Sequence, residues 1–469
     1  MSSPVVSPIT GEVIDEADVV DAAGVDQAYR QAQAASEQWR RVPADQRGRM
    51  LFTVARLLRE RRGEFADLET LNTGKLLKDT RREADRAADC FEYYGGYADK
   101  VTGDTIDVPG PFHTYTRREP YGVVLGIVPW NVPYVFAAKK IAPALAFGNV
   151  SILKPAAETP LTALMLAGVI EEAGLPEGVA QVVTGAASTG RDLVGDGRAD
   201  LIVFTGSDTT GKDIARSAAD NLIPTAMELG GKSPQIVFAD ADVDAALEAV
   251  LLGVFAATGQ MCIAGSRLLL HVDVYDEFVR RLTERVRALR VGDPREDATQ
   301  LGPQVTAQQR DKTMSLIEQA RAEGARTAAT APLPDAAHLA GGFFVPPTVF
   351  TDVSPEMSIM QQEVFGPVLA VTSFRNEAEA LDLAHATNFG LAAGVWTRDL
   401  GRAHRVAAEL KVGTVWLNTY RVLSDRVPFG GQRLSGYGRE GGPDAVQLYT
   451  RTKSVWASTE PGLPPGYAM

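Results

Sequence analysis

The stretch ATGQMCIAGSR, Ala257 to Arg267, holds Cys262, one of only two cysteines in a chain of 469 residues. A thiolate is the strongest nucleophile a protein offers near neutral pH, whereas a lone cysteine in an ordinary context is a small buried hydrophobe. Access and thiol pKa separate the two readings. Small residues surround this one, Ala257 and Gly259 before it and Ala264 and Gly265 after it. The other cysteine, Cys90, lies inside TRREADRAADCFEYYGGYADK, where apolar residues recur at helical spacing, and reads as core. Four further stretches carry residues able to work with a nucleophile. VPWN ends an apolar run at Trp130 and Asn131, and ILKP ends another at Lys154. MELGG places Glu228 before Gly230, and QQEVFGP places Glu363 and Phe365. Taken singly, each has a plain alternative: a helix cap for Asn131, a solvated carboxylate for Glu228, a snorkelling surface lysine for Lys154.

Two glycine motifs fail on their context. GSDTTGKD, Gly206 to Asp213, falls one residue short of a triphosphate-binding loop, because Asp213 stands where a magnesium-holding hydroxyl is needed. The underlying physics survives: glycine before a helix N-terminus lets backbone approach a diphosphate. GYGREG, Gly436 to Gly441, has the letters of a dinucleotide fingerprint but follows PFGGQRLS rather than an apolar strand, and reads as a turn.

The elements that must position these residues form two successive α/β series. From Val25 to Gly95 the pattern is helical. Then YGVVLGIVPW, NVSILKP, VAQVVTG, LIVFTG and IPTAMELGG read as short buried strands alternating with helices such as PYVFAAKKIAPALAFG. That alternation implies a parallel sheet with helices on both faces. PQIVFA, SRLLLHVDV and the apolar runs before Thr397 and Asn418 supply a second series. Ala325 to Gly342 reads as a surface loop, and the tail AVQLYTRTKSVWAS as an edge strand able to pair with another chain.

Composition sets the outer bounds. The chain is 45% hydrophobic and 23% charged, ordinary for a globular protein with large cores. A formal charge of -12 argues against nucleic acid or an anionic membrane as partner. Two cysteines make no disulfide framework and fit a reducing, cytoplasmic compartment. MSSPVVSPIT has neither the basic head nor the apolar core of a signal peptide. GVVLGIVPWNVPYVFAAKK, the best candidate for a membrane span, is broken by prolines, an asparagine and two lysines. His113, His271, His338, His385 and His404 fall in no metal-ligand spacing, so no metal is expected.

Together and in this order, VPWN, ILKP, MELGG, the Cys262 loop and QQEVFGP resemble the aldehyde dehydrogenase superfamily of NAD(P)-dependent, hydrolytic enzymes. The resemblance runs from SPITGEV through PFGG to the C-terminal strand. It implies an aldehyde dehydrogenase-like α/β fold with two Rossmann-like domains and a small β arm. The NAD(P)-binding domain would span 1–102 and 121–230, the catalytic domain 231–442, and the oligomerisation arm 103–120 and 443–469. Relatives assemble through that arm, so a homodimer or homotetramer is expected.

The same resemblance assigns roles. Cys262 would add to the aldehyde as a thiohemiacetal and, after hydride leaves for NAD or NADP, carry the acyl group as a thioester. The Asn131 amide and the Cys262 N–H would form the oxyanion hole, and Glu228 would activate the hydrolytic water. The small residues beside Cys262 would let its loop reach the mouth of a tunnel. Lys154 would bind the adenosine ribose with Ala157 beside it, and Gly206 and Ser207 would lie under the diphosphate, near Trp130. Glu363 would bind the nicotinamide ribose, Phe365 would pack beside the ring, and Gly230 would turn between the domains. Tyr134 and Phe136 would line the entry tunnel, Met261 and Ile263 flank the thiol, and Leu423 and Phe429 close the far side. Such walls suit an apolar or aromatic aldehyde.

Some residues depart from the family pattern. Many NAD-preferring relatives have glutamate three residues after the lysine, where KPAAET has Ala157, with Glu158 next. Alanine neither bonds a 2′-hydroxyl nor repels a 2′-phosphate, so NADP is expected to be tolerated. Val132 follows Asn131 where relatives often have an aromatic residue. Arg421 opens an alternative, an acidic semialdehyde whose carboxylate it would pair. Relatives that acylate CoA or reduce acyl phosphates typically lack the glutamate, so Glu228 argues against both. A non-enzymatic descendant of the fold is the remaining alternative; loss of the thiol or the oxyanion amide would mark it, and Cys262 and Asn131 are both present.

Overall fold

Val150–Lys154 and Leu201–Thr205 are buried along their whole length, so neither run alternates: helices cover both faces. In the computed structural model, which describes residues 2–461, both strands sit inside a six-stranded sheet. Its order is Gly436–Tyr437, Thr225–Glu228, Leu201–Thr205, Val123–Ile127, Val150–Lys154 and Ala180–Val182. All neighbours run parallel except Gly436–Tyr437, which returns antiparallel to Thr225–Glu228. GYGREG therefore supplies a short edge strand with left-handed backbone at Gly436, Gly438 and Gly441. The strand belongs to the first sheet, although it lies within the 231–442 stretch expected to form the second unit.

A seven-stranded sheet follows in the order Arg326–Thr330, Thr348–Thr351, Val368–Phe374, Arg267–His271, Pro234–Val237, Ala392–Trp396 and Thr414–Leu417. It is parallel apart from its edge strand Arg326–Thr330. That edge corrects the expectation of a loop from Ala325 to Gly342. RTAAT carries no apolar alternation, and backbone pairing with Thr348–Thr351 makes it a strand. Phe112–Pro120 pairs antiparallel with Thr450–Ser458 in a separate two-stranded ribbon. Residues 462–469 of the expected arm lie outside the described residues. Among the described residues, no helix is long and apolar enough to cross a membrane.

The parallel sheet positions the chemistry. Lys154 and Glu228 are the last residues of their strands, and Gly206 directly follows Leu201–Thr205. Asn131 lies between Val123–Ile127 and the helix Pro133–Ala146, which Pro133 opens with its φ already set for helix. The carboxyl ends of neighbouring parallel strands thus gather the marked residues at one edge, where open α/β sheets bind ligands.

Behind the helix Pro133–Ala146 lies Leu77–Tyr97, packed along it. This second helix is held by a buried ion network. Lys75 bonds Glu69 at 2.9 Å and also pairs with Glu83, while Thr162 donates to Glu69 at 2.7 Å. Lys75→Met leaves two carboxylates without their cation, and should cost about 3–5 kcal/mol of stability. Urea unfolding measures this; a loss below about 1 kcal/mol would show that the carboxylates find other partners.

Candidate active site

The loop bearing Cys262 bridges the helix Val243–Phe255 and the strand Arg267–His271. Its entry is strained: Ala257, Thr258 and Gly259 are consecutive left-handed residues. Gly259 is required there, since a side chain would strike the Gly366 backbone. Further ties fix the rest. Gln260 Oε1 accepts the Val305 N–H at 2.9 Å, and the Tyr420 hydroxyl donates to the Ile263 carbonyl at 2.9 Å. The thiol emerges half-buried in the wall of a cavity of about 170 Å³.

Asn131 and Glu228 line the same cavity. Asn131 Nδ2 donates to the Gln260 carbonyl at 2.7 Å and lies 3.9 Å from Met261 Sδ. An amide nitrogen has two hydrogens, so one anchors the loop and the other has only a weak sulfur acceptor. Glu228 is buried, and neither carboxyl oxygen has a hydrogen-bond partner. Burial and the nearby Glu440 push its pKa well up, against Lys140 and Arg439. Lys140 is fully buried, pairs with Glu440 and donates to Thr205 Oγ1 at 2.8 Å. Burial pushes the Cys262 thiol up to about 12, with Glu363 and Glu228 adding to it. Only the backbone N–H groups of Ile263 and Cys262 favour the thiolate.

Glu363, Phe365 and Trp130 close the other side of the cavity. The Phe365 ring meets Trp130 edge-on at 5.2 Å, and its backbone is left-handed. Glu363 accepts the Gly231 N–H at 2.8 Å, and Gly230 has no room for a side chain against that carboxylate. Burial raises Glu363 to about 7. Gly206 and Ser207 lie at the N-terminus of the helix Asp208–Ala219, which Ser207 caps through Thr210 N at 3.2 Å. A second cavity of about 550 Å³ holds Lys154, Ala157 and Glu158. Among the described residues the buried Lys154 amine has no hydrogen-bond or ion-pair partner, and burial lowers its pKa.

Other expected wall residues are placed differently. Phe136 faces Cys262, but Tyr134 is buried in the core, stacked on Phe65 at 4.3 Å. Two residues along a helix are about 200° apart, so both cannot face one cavity. Ile263 is buried beneath the thiol with Leu391 and Trp416, while Met261, Leu423 and Phe429 pack half-buried around the same cluster. Arg421 is half-buried with a left-handed backbone, and its Nη1 donates to the Leu252 carbonyl at 2.9 Å.

Comparison with known proteins identifies the family. The model of the aldehyde dehydrogenase family matches residues 1–455. The chain belongs to that family. A betaine aldehyde dehydrogenase of Sinorhizobium fredii is 46% identical over 451 residues, covering 96% of this chain and 92% of that one. One from Brucella anthropi is 44% identical over 455 residues, covering 97% and 93%. Among solved structures, PnpE in complex with nicotinamide adenine dinucleotide superposes with a TM-score of 0.97 at 41% identity, covering 100% of this chain and 96% of that one. Betaine aldehyde dehydrogenase from Staphylococcus aureus in complex with NAD+ does so at 0.97 and 38%, covering 100% and 94%.

The protein is therefore an aldehyde dehydrogenase that oxidises aldehydes with NAD(P). The residues fit a dinucleotide: a helix N-terminus for a diphosphate, an unpartnered buried amine for a ribose, and a slot beside Phe365 for a ring. Sequence reasoning missed Lys140 and Glu440 behind Glu228, Lys312 and Gln309 in the cavity wall, and Arg191 beside Lys154. Glu440 stands inside GYGREG, which reads as a turn, the others stand in no glycine-marked motif, and only folding brings them all in. In the cofactor-free aldehyde dehydrogenase, iodoacetamide should alkylate Cys262 with a rate rising about tenfold per pH unit from about pH 7 to 10, as the thiolate fraction grows. A plateau below about pH 9 would show that the thiolate forms more readily than its buried surroundings allow. Buried Cys90, whose thiol is also pushed well up, should stay unmodified in the folded protein.

Proposed function

We propose that Cys262 is the nucleophile, Asn131 and the Cys262 N–H the oxyanion donors, and Glu228 the base for hydrolysis. The observation that carries this reading is that all three side chains line one cavity. Sulfur attack places negative charge on the former carbonyl oxygen, where the free Asn131 hydrogen stabilises it. The bound nicotinamide supplies a hydride acceptor. Glu228, orphaned and of raised pKa, takes a proton from the water that cleaves the thioester, because a carboxylate held high is a stronger base once ionised. Lys140 and Glu440 hold charge beside it and tune that pKa. Phe136, Met261, Leu423 and Phe429 favour an aldehyde whose body next to the carbonyl is apolar or aromatic.

Cys262→Ala should abolish aldehyde oxidation while cofactor binding persists. Glu228→Gln should acylate and then deacylate slowly, giving a rapid burst of reduced cofactor before a weak steady state in stopped-flow absorbance. Turnover by the alanine variant would remove Cys262 from the chemistry, and a missing burst would mean Glu228 also activates the thiol.

Cofactor choice follows from the second cavity. Ala157 bears no charge toward the 2′ position, while Lys154 and Arg191 line the same space. These two cations support tolerance of NADP, against Glu158 and Asp213 on the same walls. The preference for NAD should stay under about a hundredfold in kcat/KM, about 2.7 kcal/mol. Ala157→Glu should raise KM for NADP, and Arg191→Ala should do so without changing KM for NAD. A larger wild-type preference would show that another residue sets the choice.

The reading also divides the chain into cofactor-binding (1–102, 121–230) and catalytic (231–442) domains, with the ribbon of Phe112–Pro120 and Thr450–Ser458 as the arm of a cytoplasmic homodimer or homotetramer. Trp456, 59% exposed near the end of that ribbon, supports self-association there.

A further inference from the structure

Beyond the Cys262 cavity lies a wider cleft of about 730 Å³, between the helix Leu77–Tyr97 and the loop 423–426. Two elements lie between the spaces. Leu423 packs against the same Ile263, Leu391 and Trp416 cluster as Cys262 and Phe429, and also lines the cleft. The helix Pro133–Ala146 turns Phe136 toward Cys262 and, one turn on, places Lys139 3.5 Å from Asp425 of the cleft wall.

The charges of the cleft are unequally matched. Asp89 and Glu92 both pair with Arg59, and Asp425 pairs with Lys139. Arg86 and Arg426 line the cleft too, and among the described residues neither guanidinium has an ion-pair or hydrogen-bond partner. Arg59 and Lys139 thus hold the three acids between them, and the guanidinium groups of Arg86 and Arg426 remain without a partner among the described residues. We infer that this cleft is the outer half of the aldehyde's path and that Arg86 and Arg426 select aldehydes bearing a carboxylate at the end remote from the carbonyl.

The inference rests on Cys262 as the nucleophile and adds the substrate class. It also places recognition of an acidic substrate at residues other than Arg421, one of whose guanidinium nitrogens already donates to the Leu252 carbonyl. A quaternary ammonium aldehyde would find the rings of Tyr93 and Tyr97, but beside two unpaired guanidinium groups.

The test compares kcat/KM for an ω-carboxy aldehyde, its methyl ester of equal length, and betaine aldehyde, using the full chain with NAD. The acid should exceed the ester by about tenfold or more, the size of one charge-assisted hydrogen bond. That advantage should shrink with added salt, because the cleft is open to solvent. Arg86→Gln and Arg426→Gln should each lower the acid-to-ester ratio, Arg86→Lys should keep most of it, and the double change to glutamate should turn the preference toward betaine aldehyde. Equal rates for acid and ester, a wild-type preference for betaine aldehyde, or a ratio unmoved by the double change would each overturn the inference. Ester turnover that Cys262→Ala abolishes would leave the nucleophile assignment standing in those cases. Failure to oxidise any of the three aldehydes would overturn both.

Discussion

A hydrogen bond from Asn131 Nδ2 to the Gln260 carbonyl, 2.7 Å long, ties the two halves of the site together. Asn131 follows a strand of the six-stranded sheet, and Gln260 precedes the thiol in a loop leading into the seven-stranded sheet. Catalytic geometry tolerates little displacement: an error of about 1 Å can cost a hundredfold in rate. Thiol and amide sit on separate sheets, so the contact between those sheets must be stiff. The left-handed run at Ala257 to Gly259 serves that end, because its strain persists only while the ties of Gln260 and Tyr420 hold the loop.

The second constraint is burial. Cys262, Glu228 and Glu363 share a cavity wall, and burial is the first cause of the raised pKa of all three. Each also senses a neighbouring acid: Cys262 senses Glu363 and Glu228, Glu228 senses Glu440, and Glu363 senses Asp208. Buried surroundings strengthen any hydrogen bond to charge that develops during reaction, and the oxyanion role proposed for the Asn131 amide draws on this. The cations that temper Glu228 stand behind it and do not line the cavity.

The outer surroundings follow from helix geometry. Pro133–Ala146 faces three environments with one sequence: Tyr134 stacks in the core, Phe136 meets the thiol cavity, and Lys139 reaches the cleft. Leu77–Tyr97, pinned by the Lys75 network, presents Arg86, Tyr93 and Tyr97 on the facing side. The surroundings proposed for the aldehyde thus come from helices packed on the six-stranded sheet as much as from the cysteine loop.

By itself, the sequence determined the architecture and the family and marked the candidate reacting groups. Buried parallel strands alternating with helices left a period that could be read, and Cys262, Glu228, Asn131 and Lys154 stood at strand ends or in glycine-rich loops marked by their neighbours. Only the tertiary structure decided which side chains share a space. Lys140 and Glu440, 300 residues apart, meet because the strand Gly436–Tyr437 returns to the sheet beside Glu228. RTAAT became a strand through backbone pairing, which its side chains do not encode. Tyr134 and Arg421 were of the right type and in the right stretch, yet helix phase turned one into the core and a left-handed backbone tied the other to Leu252. Residue type is local, whereas facing, pairing and burial depend on elements far away in the chain, and those decide which charges stay free.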